Sequence, residues 1–169
     1  MLETYLEILE EGYYEAKFAF EGLTDDNVWK RPTATLLSVG EIAGHVAFWE
    51  AVKYAGEGGD SEPDPEKCRV KSLLIDKRFS YYPTTLATPP SEEHLAMSAA
   101  QVCDELVRVH TESIAHLRAV NPDLDSSPPG FDPYYTYRVL LKYAAFHVAY
   151  HAGQMYTVRH LLGDQTTDN

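Results

Sequence analysis

Leu2, Leu6, Leu9, Tyr13, Ala16, Phe20 and Leu23 recur at alternating spacings of four and three, the seam of an amphipathic helix, while Glu3, Glu7, Glu10, Glu11 and Glu15 fall off that seam on a solvated face. Gly22 is expected to supply a left-handed C-terminal cap, with Leu23 packing back on Phe18. A second helix is announced by Ser38 and Glu41, the two ends of a capping box, and is expected to run to about Tyr54, where Gly56, Gly58 and Gly59 stop it. Its apolar stripe is Ile42, His45, Val46, Trp49 and Val52.

From Gly56 to Pro90 the periodicity fails, broken by Pro63, Pro65, Pro83, Pro89 and Pro90, and only the stretch from Cys68 to Phe79 offers a short helix. So long a connection permits a crossover, and it has room to form a lid or one wall of a pocket. A third helix is expected from Ser91 to just before Pro122, with the seam Leu95, Ala99, Val102, Leu106, Val109 and Ser113. Asp132 as N-cap and Pro133 at the first helical position open a fourth, which runs to Leu162 and stops at Gly163. Four amphipathic helices without strand pairs predict an all-α, four-helix bundle with a long crossover between helices 2 and 3, one domain over residues 1–169.

The seam of the fourth helix is Leu140, Tyr143 or Ala144, His147, His151, Gln154 or Met155, and Val158. His147 and His151 are one turn apart, about 5–6 Å on one helix face, close enough to share an ion. If the second and fourth helices are antiparallel neighbours, His45 lies level with the pair. Three neutral imidazoles at one level form a facial ligand set with open positions, the arrangement of a catalytic metal site. An all-nitrogen set suits Zn, Ni, Fe(II) or Cu; one divalent transition metal is expected, with Zn or Ni foremost. Glu41, one turn before His45, and Gln154, three residues after His151, are candidates to orient an imidazole or a bound water. Glu50 is turned away from the ligand face. Tyr143 and Tyr150 are candidate pocket hydroxyls, though packing suits them better. His94, His110, His116 and His160 are expected in surface or helix-dipole roles. Cys68, near Lys67, Arg69 and Lys71, is a candidate thiol nucleophile.

Charge and composition narrow the classes. A formal charge of −12, from 26 acidic and 14 basic residues, argues against a nucleic-acid partner. The N-terminal segment carries acidic residues from Glu3 and does not read as a signal peptide, and no apolar run approaches the ~20 residues of a membrane span. A cytoplasmic protein with reduced Cys68 and Cys103 and no membrane partner is expected.

Three stretches, LTDDNVWKRP after the first helix, SVGEIAGHVAFWE on the second and FHVAYHAGQM on the fourth, resemble the DinB-like (YfiT-like) metalloenzyme family in order and separation. The resemblance spans nearly the whole chain. It implies an up-down-down-up bundle, a divalent metal on His45, His147 and His151, and a homodimer. It also leans toward thiol chemistry, since DinB-like members include transferases and isomerases that use low-molecular-weight thiols. The expected function is therefore metal-dependent transfer of a small thiol to an electrophile. A metal-dependent hydrolase is the alternative, and a metal-stapled, dimeric, stress-response binding module is the non-enzymatic one.

Overall fold

The computed structural model describes residues 1–54, 64–81 and 88–166, and among them the secondary structure is helical, with no strand. The elements are α1 (Leu2–Phe18), α2 (Asp25–Val28), α3 (Val39–Trp49) with a π-helical continuation (Glu50–Tyr54), 3-10 turns at Pro65–Lys67 and Lys77–Phe79, α4 (Glu92–Leu95), α5 (Ala99–Val120) and α6 (Tyr137–Leu161). The long helices pack on one another, α1 against α6 and α5, and α3 against α5 and α6. The expected helix stop at Gly56, Gly58 and Gly59 and much of the proposed lid lie outside the described residues.

The α1 seam is buried as its spacing predicts, from Leu6 through Leu9, Tyr13 and Ala16. The helix ends at Phe18, earlier than the expected cap, and Gly22 takes its positive φ of 71° in the turns beyond. The reason lies on α6. The buried Arg159 sends Nη1 to the carbonyls of Ala19 (3.1 Å) and Glu21 (2.7 Å) and pairs through Nε with Asp164, so a distant side chain satisfies acceptors that the chain exposes as it leaves the helix.

Helix α3 starts at the Ser38–Glu41 capping box and is buried almost all round. Two glycines one turn apart make this possible. A Cβ on Gly40 would meet the Trp29 ring at 2.6 Å, and one on Gly44 would meet the Phe79 ring at 2.5 Å. The bare backbone is the seat for both aromatics.

The third helix is not continuous. It breaks between α4 and α5 because Ser98 and Gln101 form a second capping box seven residues after Ser91, and because the Trp29 indole N–H is bonded to the Met97 carbonyl there. Leu95, expected on the seam, is exposed in consequence. Asp132 and Pro133 likewise do not open α6. Asp132 accepts from the Tyr134 N–H in a turn, and Thr136 is the N-cap, accepting from Val139 N–H. The N–H groups of Tyr137 and Arg138 go to the Ser126 and Leu124 carbonyls, which satisfies first-turn donors without a cap at Asp132. Gly163, with φ 88°, follows the end of α6 as expected. No helix of the described residues is long and apolar enough to cross a membrane.

Candidate metal centre

His45 projects from α3 toward α6, where the one-turn spacing of His147 and His151 presents both rings on the face turned to the core. One ring nitrogen from each of the three lies within 4.8 Å of the others. His45 Nδ1 is 2.8 Å from the Phe79 carbonyl, which can only accept, so the ring proton sits on Nδ1 and the Nε2 lone pair is free. That Nε2 faces His147 Nε2 at 3.2 Å. Two imidazole nitrogens bound to one ion at about 2.0–2.1 Å stand about 3.0–3.4 Å apart, so the pair already has ligand spacing. His151 Nδ1 is 2.6 Å from Gln154 Oε1, another pure acceptor, which leaves the Nε2 lone pair of His151 free as well.

All three rings are held neutral. Burial lowers His45 against the opposing pull of the Phe79 and Ser80 carbonyls. Burial, with the neighbouring imidazoles, takes His147 down to about 2, and burial with His45 takes His151 to about 4. An imidazole must be neutral to bind a metal, so the same burial that makes a lone charge costly prepares the donor set. The three histidines are thus positioned to bind a metal ion, and three neutral nitrogens fit a divalent transition metal.

The crossover chain forms one wall. Phe79 gives its carbonyl to His45, Ser80 accepts from the Trp49 indole N–H at 2.9 Å, and Tyr81, with φ 40°, places its hydroxyl 3.3 Å from Glu41 and its ring 5.8 Å from the His45 ring. On the other side Tyr54 and Tyr143 approach His147, and Tyr150 approaches His151. Tyr143 and Tyr150 lie mostly in solvent, and Gln154 Nε2 donates to the Tyr150 hydroxyl.

Glu41 is occupied elsewhere. Only 1% exposed, it accepts from Ser38 and is paired with Arg31 and Tyr81, while His45 takes its hydrogen bond from Phe79. Burial alone would raise its carboxyl, but the bonds from Arg31 and Ser38 outweigh that and hold it below its ordinary value. Glu50 points away from the triad as predicted and is bonded to Tyr13 and His110. Two of the histidines expected at the surface are buried. His94 bonds to Ser91 and to the Leu73 carbonyl, and His110 faces Glu50, partners brought from segments far along the chain. His116, half-buried, bonds to Arg69, and the exposed His160 bonds to Thr166. Cys68 is 2% exposed with its thiol on the Asp64 carbonyl, so a dissolved electrophile has no approach to it.

Sequence reasoning did not find Phe79, Tyr81 or Tyr54 as neighbours of the site. The available signal was the Gly40–Gly44 pair in an otherwise apolar helix, which marks the close approach of another group.

Comparison with curated proteins and with solved structures gave no match. The family model of the DinB superfamily matches residues 8–155, a span that runs from within α1 through most of α6 and takes in all three histidines, and the chain belongs to the DinB superfamily.

Proposed function

We propose that His45, His147 and His151 hold one divalent transition metal, Zn or Ni before Fe, and that the protein is a metal-dependent enzyme transferring a low-molecular-weight thiol to an electrophile. The observation that carries this is the 3.2 Å approach of two Nε2 atoms from helices far apart in sequence, His45 having committed its proton to Nδ1. Three ligands leave positions open, and a bound divalent ion supplies Lewis acidity that favours a thiolate over a thiol at neutral pH. In the reaction the thiol loses its proton, sulfur bonds to the electrophilic carbon, and the leaving group departs with the bonding pair. The chain's own contribution is positional. Phe79 and Gln154 fix two imidazole tautomers, so Gln154 takes the orienting role outside the ligands, and the aromatic walls of Trp49 and Tyr81 restrict water around His45.

The same assignment takes the long helices as one up-down-down-up bundle over residues 1–169, in a cytoplasmic homodimer that acts on a small molecule and not on nucleic acid. The test is conjugation of a panel of small thiols to a fluorogenic electrophile by metal-loaded protein. Turnover that depends on metal and disappears in His147→Ala is expected. Hydrolysis of an ester or amide panel without thiol conjugation would move the assignment to a hydrolase. Metal binding with neither activity would move it to a binding module in which the ion staples α3 to α6.

A further inference from the structure

The crossover chain meets α3 at the end of a short helical turn. Asp76 opens that turn as N-cap, accepting from the Arg78 N–H at 2.8 Å; the 3-10 turn covers Lys77–Phe79, and Ser80 closes it with φ −63° and ψ −38°. The N–H groups of Phe79 and Ser80 use the carbonyls of Asp76 and Lys77, which leaves the carbonyls of Phe79 and Ser80 to be met from outside the turn. Helix α3 meets both. His45 Nδ1 donates to Phe79 at 2.8 Å, and the Trp49 indole N–H donates to Ser80 at 2.9 Å. Glu41 takes the next residue, its carboxylate accepting from the Tyr81 hydroxyl at 3.3 Å. Glu41, His45 and Trp49 follow one another at one-turn spacing, so one face of α3 holds three consecutive residues of the crossover chain.

Tyr81 has a φ of 40°, in the left-handed region. A residue in that region just past the end of a helical turn is usually glycine, and a tyrosine there carries a steric strain that glycine would not. The side chain accounts for the choice. Its ring lies 5.8 Å from that of His45, and its hydroxyl reaches a carboxylate that is itself fixed, 1% exposed and bonded by Arg31 and Ser38. The strained backbone is thus maintained by contacts to a rigid anchor, and the strained residue is the one that follows the two carbonyls given to α3.

We infer that Tyr81 is a positioning residue for the metal centre: anchored by Glu41, it holds the Phe79 carbonyl on His45 Nδ1, which commits that imidazole to the tautomer with a free Nε2 and so sets the affinity for the ion. Glu41 then serves His45 through Tyr81 and not by direct contact. The effect on affinity rests on the assignment of the three histidines as ligands; the effect on the His45 ring does not, and the experiment reads the two apart.

Wild type, Tyr81→Phe and Tyr81→Gly are compared by the ring nitrogen shifts of His45 in metal-free protein, from long-range proton–nitrogen NMR correlation, and by the affinity for Co(II), from competition with a chelator. Urea unfolding checks that each is folded. Tyr81→Phe keeps the ring and removes the hydroxyl; Tyr81→Gly removes the side chain and relieves the backbone together. In the wild type the shifts should be those of a single tautomer protonated at Nδ1. In both variants they should move toward the average of the two tautomers, with cobalt bound roughly tenfold more weakly, the lower end of what loss of a group supporting a metal-bound histidine costs. Wild-type shifts in Tyr81→Phe would overturn the role of the hydroxyl even if the urea midpoint fell, since lost packing lowers stability without moving the tautomer. Cobalt bound by Tyr81→Gly as tightly as by wild type would overturn the inference as well, by showing that position 81 serves only the backbone. A wild type that takes up no cobalt would overturn the triad and the effect on affinity, while the ring shifts would still decide whether Tyr81 orients His45.

Discussion

A Cβ atom added at Gly44 would stand 2.5 Å from Cδ2 of the Phe79 ring, and two further ring atoms would lie within 2.9 Å. Phe79 is fully buried and its own carbonyl holds the His45 imidazole, so the ring cannot yield without moving a candidate ligand. In Gly44→Ala the helix-propensity gain of about 1 kcal/mol opposes overpacking of about 1–3 kcal/mol, and overpacking against a ring with no exposed edge is the larger. The variant is expected to be less stable in urea and to bind metal more weakly. Unchanged stability and affinity would mean that the crossover chain does not orient His45.

Arg159 is 2% exposed and serves the carbonyls of Ala19 and Glu21 and the carboxylate of Asp164. Arg159→Met fills much of the volume but leaves those acceptors unmet, at a cost of about 3 kcal/mol or more. Arg159→Lys recovers little, because one ammonium cannot reproduce the guanidinium fork. Both variants should nonetheless bind the full complement of metal, measured alongside their urea midpoints.

Tyr13→Phe removes one of the two hydrogen bonds to the buried Glu50 and leaves that carboxylate oxygen unpaired. A loss of about 1–3 kcal/mol is expected by chemical denaturation. A stability equal to wild type would show that the pair with His110 alone meets the needs of Glu50.

Acid should weaken the metal-free protein before its carboxylates titrate. His147 and His151 lie near 2 and 4 in the folded protein against an ordinary 6.5, so between these values the unfolded chain binds protons that the folded chain refuses. The stabilisation is complete above pH 6.5 and is lost as pH falls toward the folded values. At pH 5.5 the expected loss is about 1 kcal/mol for each of the two histidines, read from urea unfolding of apo protein. The double variant His147→Ala/His151→Ala should lose clearly less over the same interval, keeping only what the buried His45 contributes, and a flat wild type would contradict the burial of neutral imidazoles.

Much of this was legible in the sequence. Ser38 and Glu41 mark the start of α3, and helical phase alone places His147 and His151 on the inner face of α6. Local signals failed where a distant group decided the outcome. Arg159 shortens α1 at Phe18, Trp29 helps to hold the break at Met97, and Leu124 and Ser126 let α6 start at Tyr137 instead of beside Pro133. His94 and His110 look like surface residues until Leu73 and Glu50 are brought to them. Glu41 has the right spacing to support His45, but its carboxylate is shared among its own cap, Arg31 and Tyr81. The π turn has no local sequence mark, so nothing in the chain announced that Tyr54 would reach His147.

The most direct measurement is elemental analysis of protein purified without a histidine tag, wild type beside His147→Ala, reported as metal atoms per chain. About one divalent transition-metal ion per chain in the wild type and little in the variant is the predicted result. No metal in the wild type, even after reconstitution with Zn, Ni and Fe(II), would contradict the assignment and leave His45, His147 and His151 as a buried hydrogen-bonded cluster.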